Sequence, residues 1–258
     1  MSRRQDPSER GPRPRGRGRP RREGAPLPGE AGRRERRPAP AEPRPHRARS
    51  TLPRDITDEV RGTARIGRSE EAVGLAEEAA TALAEGDPLR AESAATKLKG
   101  LAPRSAAARE VLGLALYHQE RFREALRELQ AYRRMSGRRD QNHVIADCHR
   151  ALGAPDKAVA EARDGLAASV DEVVRAECAI VAGAALADLG RFEEALSVLR
   201  SVPTQTDIAR PHDLRLWYVT ADVLERSGQG DEAARRFQLI LRHDPEAFDA
   251  ADRLSALS

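Results

Sequence analysis

The side chains that could do chemistry in this 258-residue chain are its six histidines, its two cysteines and its 41 acids, and their spacing decides what they can do. His143 and His149 are the nearest two histidines, six residues apart, which puts them on opposite sides of a helix instead of one turn apart as a metal pair requires. No H-E-x-x-H, G-x-S-x-G or Gly-rich phosphate loop occurs. Cys148 and Cys178 are isolated and make neither a disulfide framework nor a zinc signature, so both are expected as small buried hydrophobes. The acids fall where solvated faces and first helical turns put them. The expectation is a protein without catalytic residues, metal, cofactor or small-molecule substrate.

One segment does carry a chemical signal, and it is electrostatic. Residues 1–50 hold sixteen Arg, no Lys and six acids, a formal +10, while the whole chain is only +4. The same segment has ten Pro, six Gly and a single sizeable aliphatic residue, Leu27, so it cannot bury enough apolar surface to offset the entropy of ordering and is expected to be disordered. Within it, Arg15, Gly16, Arg17, Gly18, Arg19, Pro20, Arg21 and Arg22 resemble an AT-hook, an extended arm whose arginines suit the negative potential of a narrow minor groove. The bland counterpart is a codon bias toward Arg, Gly and Pro, since 42 of the 45 basic residues are Arg. If the segment is a binding arm and not the product of that bias, the wider expectation is non-specific attraction to DNA or RNA phosphates.

The rest of the chain is organised by a recurring pentad. Gly86 precedes Ala91 by five residues, Glu120 precedes Ala125, Gly153 precedes Ala158, Gly190 precedes Ala195, and Gly228 precedes Ala233. Successive alanines are 34, 33, 37 and 38 residues apart, the period of a two-helix repeat with small loop insertions. In the last unit Trp217, Ala221 and Leu224 lie on one face of a first helix, Gly228 breaks it, and Ala233, Phe237, Ile240 and Leu241 line a second helix that Pro245 ends. Leu112, Gly113, Leu116, Phe122, Ala125, Leu129 and Tyr132 repeat that skeleton, as do Gly183, Leu186, Gly190, Phe192, Ala195 and Leu199. The first and third units lack the bulky aromatics.

These residues resemble the tetratricopeptide repeat over roughly residues 70–247. The implied fold is all-α: a right-handed solenoid of about five helical hairpins, closed by a capping helix over residues 246–258 that carries Phe248, Ala251, Leu254 and Leu257. Residues 51–68 are expected as a linker with a short helix or turn at Ile56, Val60 and Ile66, leading to Ser69 as an N-cap. Glu120 stands where the family favours Gly, and Pro155 falls in a first helical turn, where its missing N–H is tolerated. The architecture also resembles a group of tetratricopeptide proteins with Arg/Pro/Gly-rich N-terminal tails from high-G+C bacteria, a resemblance that supplies no activity.

In this family ligands usually lie in the concave groove lined by the first helix of each repeat. Matched positions put Glu110, Leu114, Tyr117, His118, His143, Asp147, Arg150, Ile180, Asp188, Tyr218, Asp222 and Arg226 there. Tyr117, Tyr218 and Arg150 suit the role of anchors, because aromatics and Arg dominate binding hot spots. Ala76 and Ala80 replace the Lys and Asn with which some members clamp a terminal carboxylate, so that ligand is not implied. The resulting expectation is a non-enzymatic scaffold for an unidentified protein or peptide, and the alternative is a nucleic-acid-associated adaptor acting through the arm. With no apolar leader and no long apolar run, a cytoplasmic protein with no membrane segment is expected.

Overall fold

The computed structural model describes residues 52–204 and 207–257. The AT-hook-like arm, Arg15–Arg22, lies outside the described residues. Twelve helices and no strand occur among those described: α1 (Arg54–Thr63), then five hairpins, then α12 (Ala250–Ala256). The hairpins pair α2 (Ser69–Ala84) with α3 (Pro88–Leu101), α4 (Ala106–His118) with α5 (Phe122–Ser136), α6 (Asn142–Ala151) with α7 (Pro155–Ala168), α8 (Glu172–Asp188) with α9 (Phe192–Arg200), and α10 (Pro211–Arg226) with α11 (Gly230–His243). Each first helix packs on the first helix of the next pair, and each second helix packs under the following first helix, which makes a right-handed α-solenoid.

The pentad has a simple mechanical origin. Each first helix ends with an N–H that donates to the carbonyl five residues back: Asp87 to Ala82 (2.8 Å), Arg121 to Leu116 (3.0 Å), Ala154 to His149 (2.9 Å), Arg191 to Leu186 (2.9 Å) and Gln229 to Leu224 (2.9 Å). That closure needs a left-handed residue just before the donor. Gly supplies it four times at φ between 71° and 80°, and Glu120 supplies it at φ 58°, at a strain of about 1 kcal/mol. The alanine that follows sits where the returning helix crosses closest. Ala91, Ala125, Ala158, Ala195 and Ala233 are all fully buried.

Glycines inside helices mark the tightest approaches. A Cβ at Gly113 would lie 2.6 Å from Leu129 Cγ, and one at Gly183 would lie 2.7 Å from Leu199 Cγ. Gly165 of α7 is tighter in a different way, with Cys178 Sγ at 2.6 Å and Asn142 Cβ at 2.8 Å from the position a Cβ would take. Asn142 is buried there, its Nδ2 donating to the Glu161 carbonyl (3.1 Å) and to Asp164 Oδ2 (2.9 Å). Successive second helices are tied by ion pairs: Glu92 to Arg121 (2.7 Å), Lys99 to Glu128 (2.7 Å), Arg133 to Glu161, and Arg163 to Glu194 (3.3 Å).

The ends of the array differ in detail from the expectation. Residues 51–68, expected as a linker with a short helix or turn, contain α1, which includes Ile56 and Val60 and packs into the array with Val60 fully buried, whereas Ile66 lies beyond it and is exposed. Its Glu59 carboxylate accepts from the Ala106 N–H (2.6 Å) and from Ser105 Oγ (2.9 Å), so it satisfies donors at the start of α4. Ser69 is the first residue of α2 and not its N-cap, a place taken by Arg68. The last helix is the seven-residue α12, preceded by a turn in which Phe248 has φ 56°. Ala250 faces the core where Ala251 was expected to, and Phe248 stays half exposed outside the helix, its ring 4.6 Å from that of Tyr218.

Candidate functional site

Four consecutive first helices, α4, α6, α8 and α10, stand side by side, and their shared face encloses a cleft of about 280 Å³. Its floor is apolar, made by Val144, Ile180, Val181, Ala184 and Val219. Its walls carry Tyr117 from α4, His143, Asp147 and Arg150 from α6, Glu177 from α8, and Arg215, Tyr218, Asp222 and Arg226 from α10. The array brings these residues together because a 3.6-residue helix presents every third or fourth side chain on one face, and adjacent hairpins keep those faces in line.

The charged walls form a connected network. Tyr117 Oη donates to Asp147 Oδ2 at 2.6 Å, and Arg150 lies 3.5 Å from Asp147 Oδ1 while its Nε donates to Asp188 Oδ2 at 2.6 Å. Arg226 then bridges Asp188 (3.3 Å) and Asp222 (3.4 Å), and donates to the Ala187 carbonyl at 2.8 Å. Arg253 of α12 closes the run on Asp222 (3.0 Å) and Glu225 (2.7 Å), its guanidinium 5.6 Å from the centroid of the Tyr218 ring. Arg215 stands apart from this chain. It pairs with the buried Glu177 at 2.7 Å, yet half of its side chain remains exposed.

Burial sets the protonation states. It pushes the Glu177 carboxyl above the ordinary range, against the pull of Arg215 and His212. It also lowers the His143 imidazole, which is therefore neutral at pH 7, with Nδ1 buried and unpartnered. The Tyr117 hydroxyl is held protonated by burial and by its bond to Asp147. Burial pushes both Cys148 and Cys178 up to about 12, so neither thiol is a nucleophile at neutral pH. No cluster of three potential metal ligands occurs among the described residues.

Of the residues expected in the groove, Tyr117, His143, Asp147, Arg150, Ile180, Tyr218, Asp222 and Arg226 line this cleft. His118 does not: it is exposed, its ring edge-on to Tyr117 with centroids 5.6 Å apart. Glu110 accepts from Gln141 Nε2 at 2.8 Å, Leu114 packs on the core shared by the first three repeats, and Asp188 acts from behind Arg150 and Arg226. Besides the floor residues Val144, Val181, Ala184 and Val219, the cleft holds two charged residues that were not expected there, Glu177 and Arg215. They occupy the same position in successive repeats with opposite charge, a pairing visible once the hairpins are aligned on Gly190 and Gly228.

Helical hairpins closed by left-handed residues, with a concave face of first helices, make this the tetratricopeptide-repeat fold. The model of the "T7SS, ESX-1 secretion system protein EccA1, N-terminal domain" matches residues 157–258. No curated protein matches the sequence. Among solved structures, the chain is similar to YrrB, a TPR protein described as having an unusual peptide-binding site, at 19% identity over 76% of this chain and 96% of that one (TM-score 0.52). It is similar to the thermophilic TPR protein TTC0263 of Thermus thermophilus at 17% identity over 72% and 98% of the two chains (TM-score 0.57). The apo form of the quorum sensor NprR of B. thuringiensis aligns at 14% identity over 79% of this chain and 64% of that one (TM-score 0.61). No helix among the described residues is long and apolar enough to cross a membrane.

Proposed function

We propose that this chain is a non-catalytic scaffold that holds a segment of a partner protein in the cleft between α4, α6, α8 and α10. The supporting observation is the cleft itself: an apolar floor, two tyrosines at the sides and charges of both signs on the walls, the mixture that gives a peptide both area and register. That YrrB, an array of the same fold, is described as having a peptide-binding site supports the reading. Arg215 is the wall residue best placed to meet a partner carboxylate, being half exposed with a single ion-pair partner. Tyr117 and Tyr218 contribute ring faces, since their hydroxyls are engaged by Asp147 and Asp249 at 2.6 Å each.

Ala184→Arg tests this reading, because it fills the cleft floor without removing any ion pair. In-cell crosslinking of the full chain should show a set of partners lost with Ala184→Arg and retained with Leu89→Arg, a change on an exposed residue of α3 outside the cleft. The same partners crosslinking to both variants would overturn it.

A second reading rests on the +10 segment of residues 1–50: the arm holds DNA or RNA while the solenoid recruits a protein. Duplex binding should then fall steeply with salt. If the AT-hook resemblance carries function, Arg17→Ala with Arg19→Ala should weaken binding to A·T tracts more than Arg33→Ala with Arg34→Ala, which removes the same charge. Absence of duplex and RNA binding by the intact chain at about 50 mM salt would refute this reading.

A further inference from the structure

Among the described residues, the ion pairs that tie successive second helices stop short of α11. Lys99 of α3 meets Glu128 of α5, Arg133 of α5 meets Glu161 of α7, and Arg163 of α7 meets Glu194 of α9. On the open face of α11, the side chains of Arg235 and Arg242 make no ion pair or hydrogen bond among the described residues, and Asp231, one turn before Arg235, does not reach it. These two arginines, with Gln238, flank Leu241, and Leu254 of α12 forms the opposite wall of a groove of about 620 Å³. The short α12 covers one side of α11 and leaves the side bearing Arg235, Gln238 and Arg242 exposed.

We propose that this groove, on the side away from the concave cleft, is a second binding site, and that it takes an acidic amphipathic helix of a partner protein. Two leucines ask for an apolar stripe, and two arginines about two turns apart on the same face ask for carboxylates at matching spacing on either side of it. Three junctions between second helices, α3 with α5, α5 with α7 and α7 with α9, are closed cation to Glu, so an incoming acidic helix would use a kind of contact the fold already contains. The apolar wall separates this site from a phosphate-binding patch. A nucleic-acid backbone has no use for Leu241 and Leu254, whereas a helix needs them to exclude water from its contacts.

The probe is a fluorescein-labelled 14-residue peptide, the length of α11, with Leu on one face and Glu along both borders, titrated into the full chain and followed by anisotropy. Arg235→Glu with Arg242→Glu should weaken binding about tenfold, and Arg235→Gln with Arg242→Gln by about threefold. Both side chains are solvent-facing, so the Gln pair should melt as the wild type does and separates loss of the site from loss of fold. Replacing the peptide leucines with Ser should weaken binding to the wild type, and the Leu254 methyl signals should shift only with the Leu-containing peptide. Unchanged affinity in the Glu pair would assign the binding to the +10 segment and overturn the site. So would a short DNA duplex losing affinity equally in that variant, which would make the groove a general polyanion patch.

Discussion

Gly165→Ala is a small change with a calculable conflict. In an unhindered helix interior, Gly to Ala stabilises by about 0.5–1 kcal/mol, because Gly loses more backbone entropy on folding. At Gly165 the new methyl would sit 2.6 Å from Cys178 Sγ and 2.8 Å from Asn142 Cβ, where ordinary contact is near 3.7 Å. Asn142 Cβ is fixed to the backbone of α6, and its amide is held by Glu161 and Asp164, so relief requires α6 and α7 to separate or those hydrogen bonds to lengthen. Overpacking of this kind typically costs about 1–3 kcal/mol, and a strained buried hydrogen bond adds about 1 kcal/mol. The net expectation is a loss of about 1–3 kcal/mol, or a Tm lower by about 3–10 °C for a domain of this size. Gly74→Ala is the matched control, since nothing lies within 4 Å of its Cβ position in α2, and its Tm should rise by about 2 °C. Thermal melts followed by circular dichroism read both. If Gly165→Ala melts at or above the wild type while Gly74→Ala behaves as stated, the close contact of α7 with α6 and α8 is wrong.

Ala195→Leu and Ala233→Leu, at fully buried crossings, should each destabilise by about 1–3 kcal/mol, and denaturant midpoints equal to the wild type would show that the repeat register is misassigned. Glu59→Ala removes the carboxylate at the start of α4 and should cost about 1 kcal/mol, with faster amide exchange in α1 and at Ala106 but not in α10; exchange unchanged in α1 would deny it the anchoring role. Burial lowers the imidazoles of both His143 and His149, so below about pH 6.5 the unfolded chain binds protons that the folded chain resists, and stability falls with pH from there toward the lower folded values. Melts from pH 7.5 to 5.5 should therefore lose less Tm in His143→Gln with His149→Gln than in the wild type, and parallel curves would contradict the sign.

The repeats were legible because their determinants are local: a left-handed turn residue, an alanine five positions on, and apolar residues at helical spacing report directly on the hairpin they build. The placement of α1 was not, because Glu59 does its work on Ala106, 47 residues away, and nothing near Glu59 in sequence indicates that partner. Gly165 is similar. Its constraint comes from Asn142 and Cys178 on the two flanking helices, whereas Gly113 and Gly183 fall at a repeating position that drew attention to them. Phe248 misled because helical spacing from Ala251 and Leu254 suggested one continuous face, while the chain turns through positive φ at that residue before α12 begins. For the cleft, repeat register brought Tyr117, Asp147 and Tyr218 to mind together, but it could not show that their hydroxyls and carboxylates are already engaged.

That prior engagement changes what kind of reaction binding would be. A partner carboxylate that takes hold of Arg150 or Arg226 must loosen Asp188, and a partner cation that takes Asp222 from Arg226 leaves Arg253 to rearrange in turn. Association along this wall would be a substitution among ion pairs in place of a gain made on bare charges. A ligand of one sign displaces one set of residues and strands the other. Only a segment that presents both signs in the order of the wall would restore every pair it breaks, so under the proposed function discrimination among partners would reside in the sequence of charges they carry more than in their number.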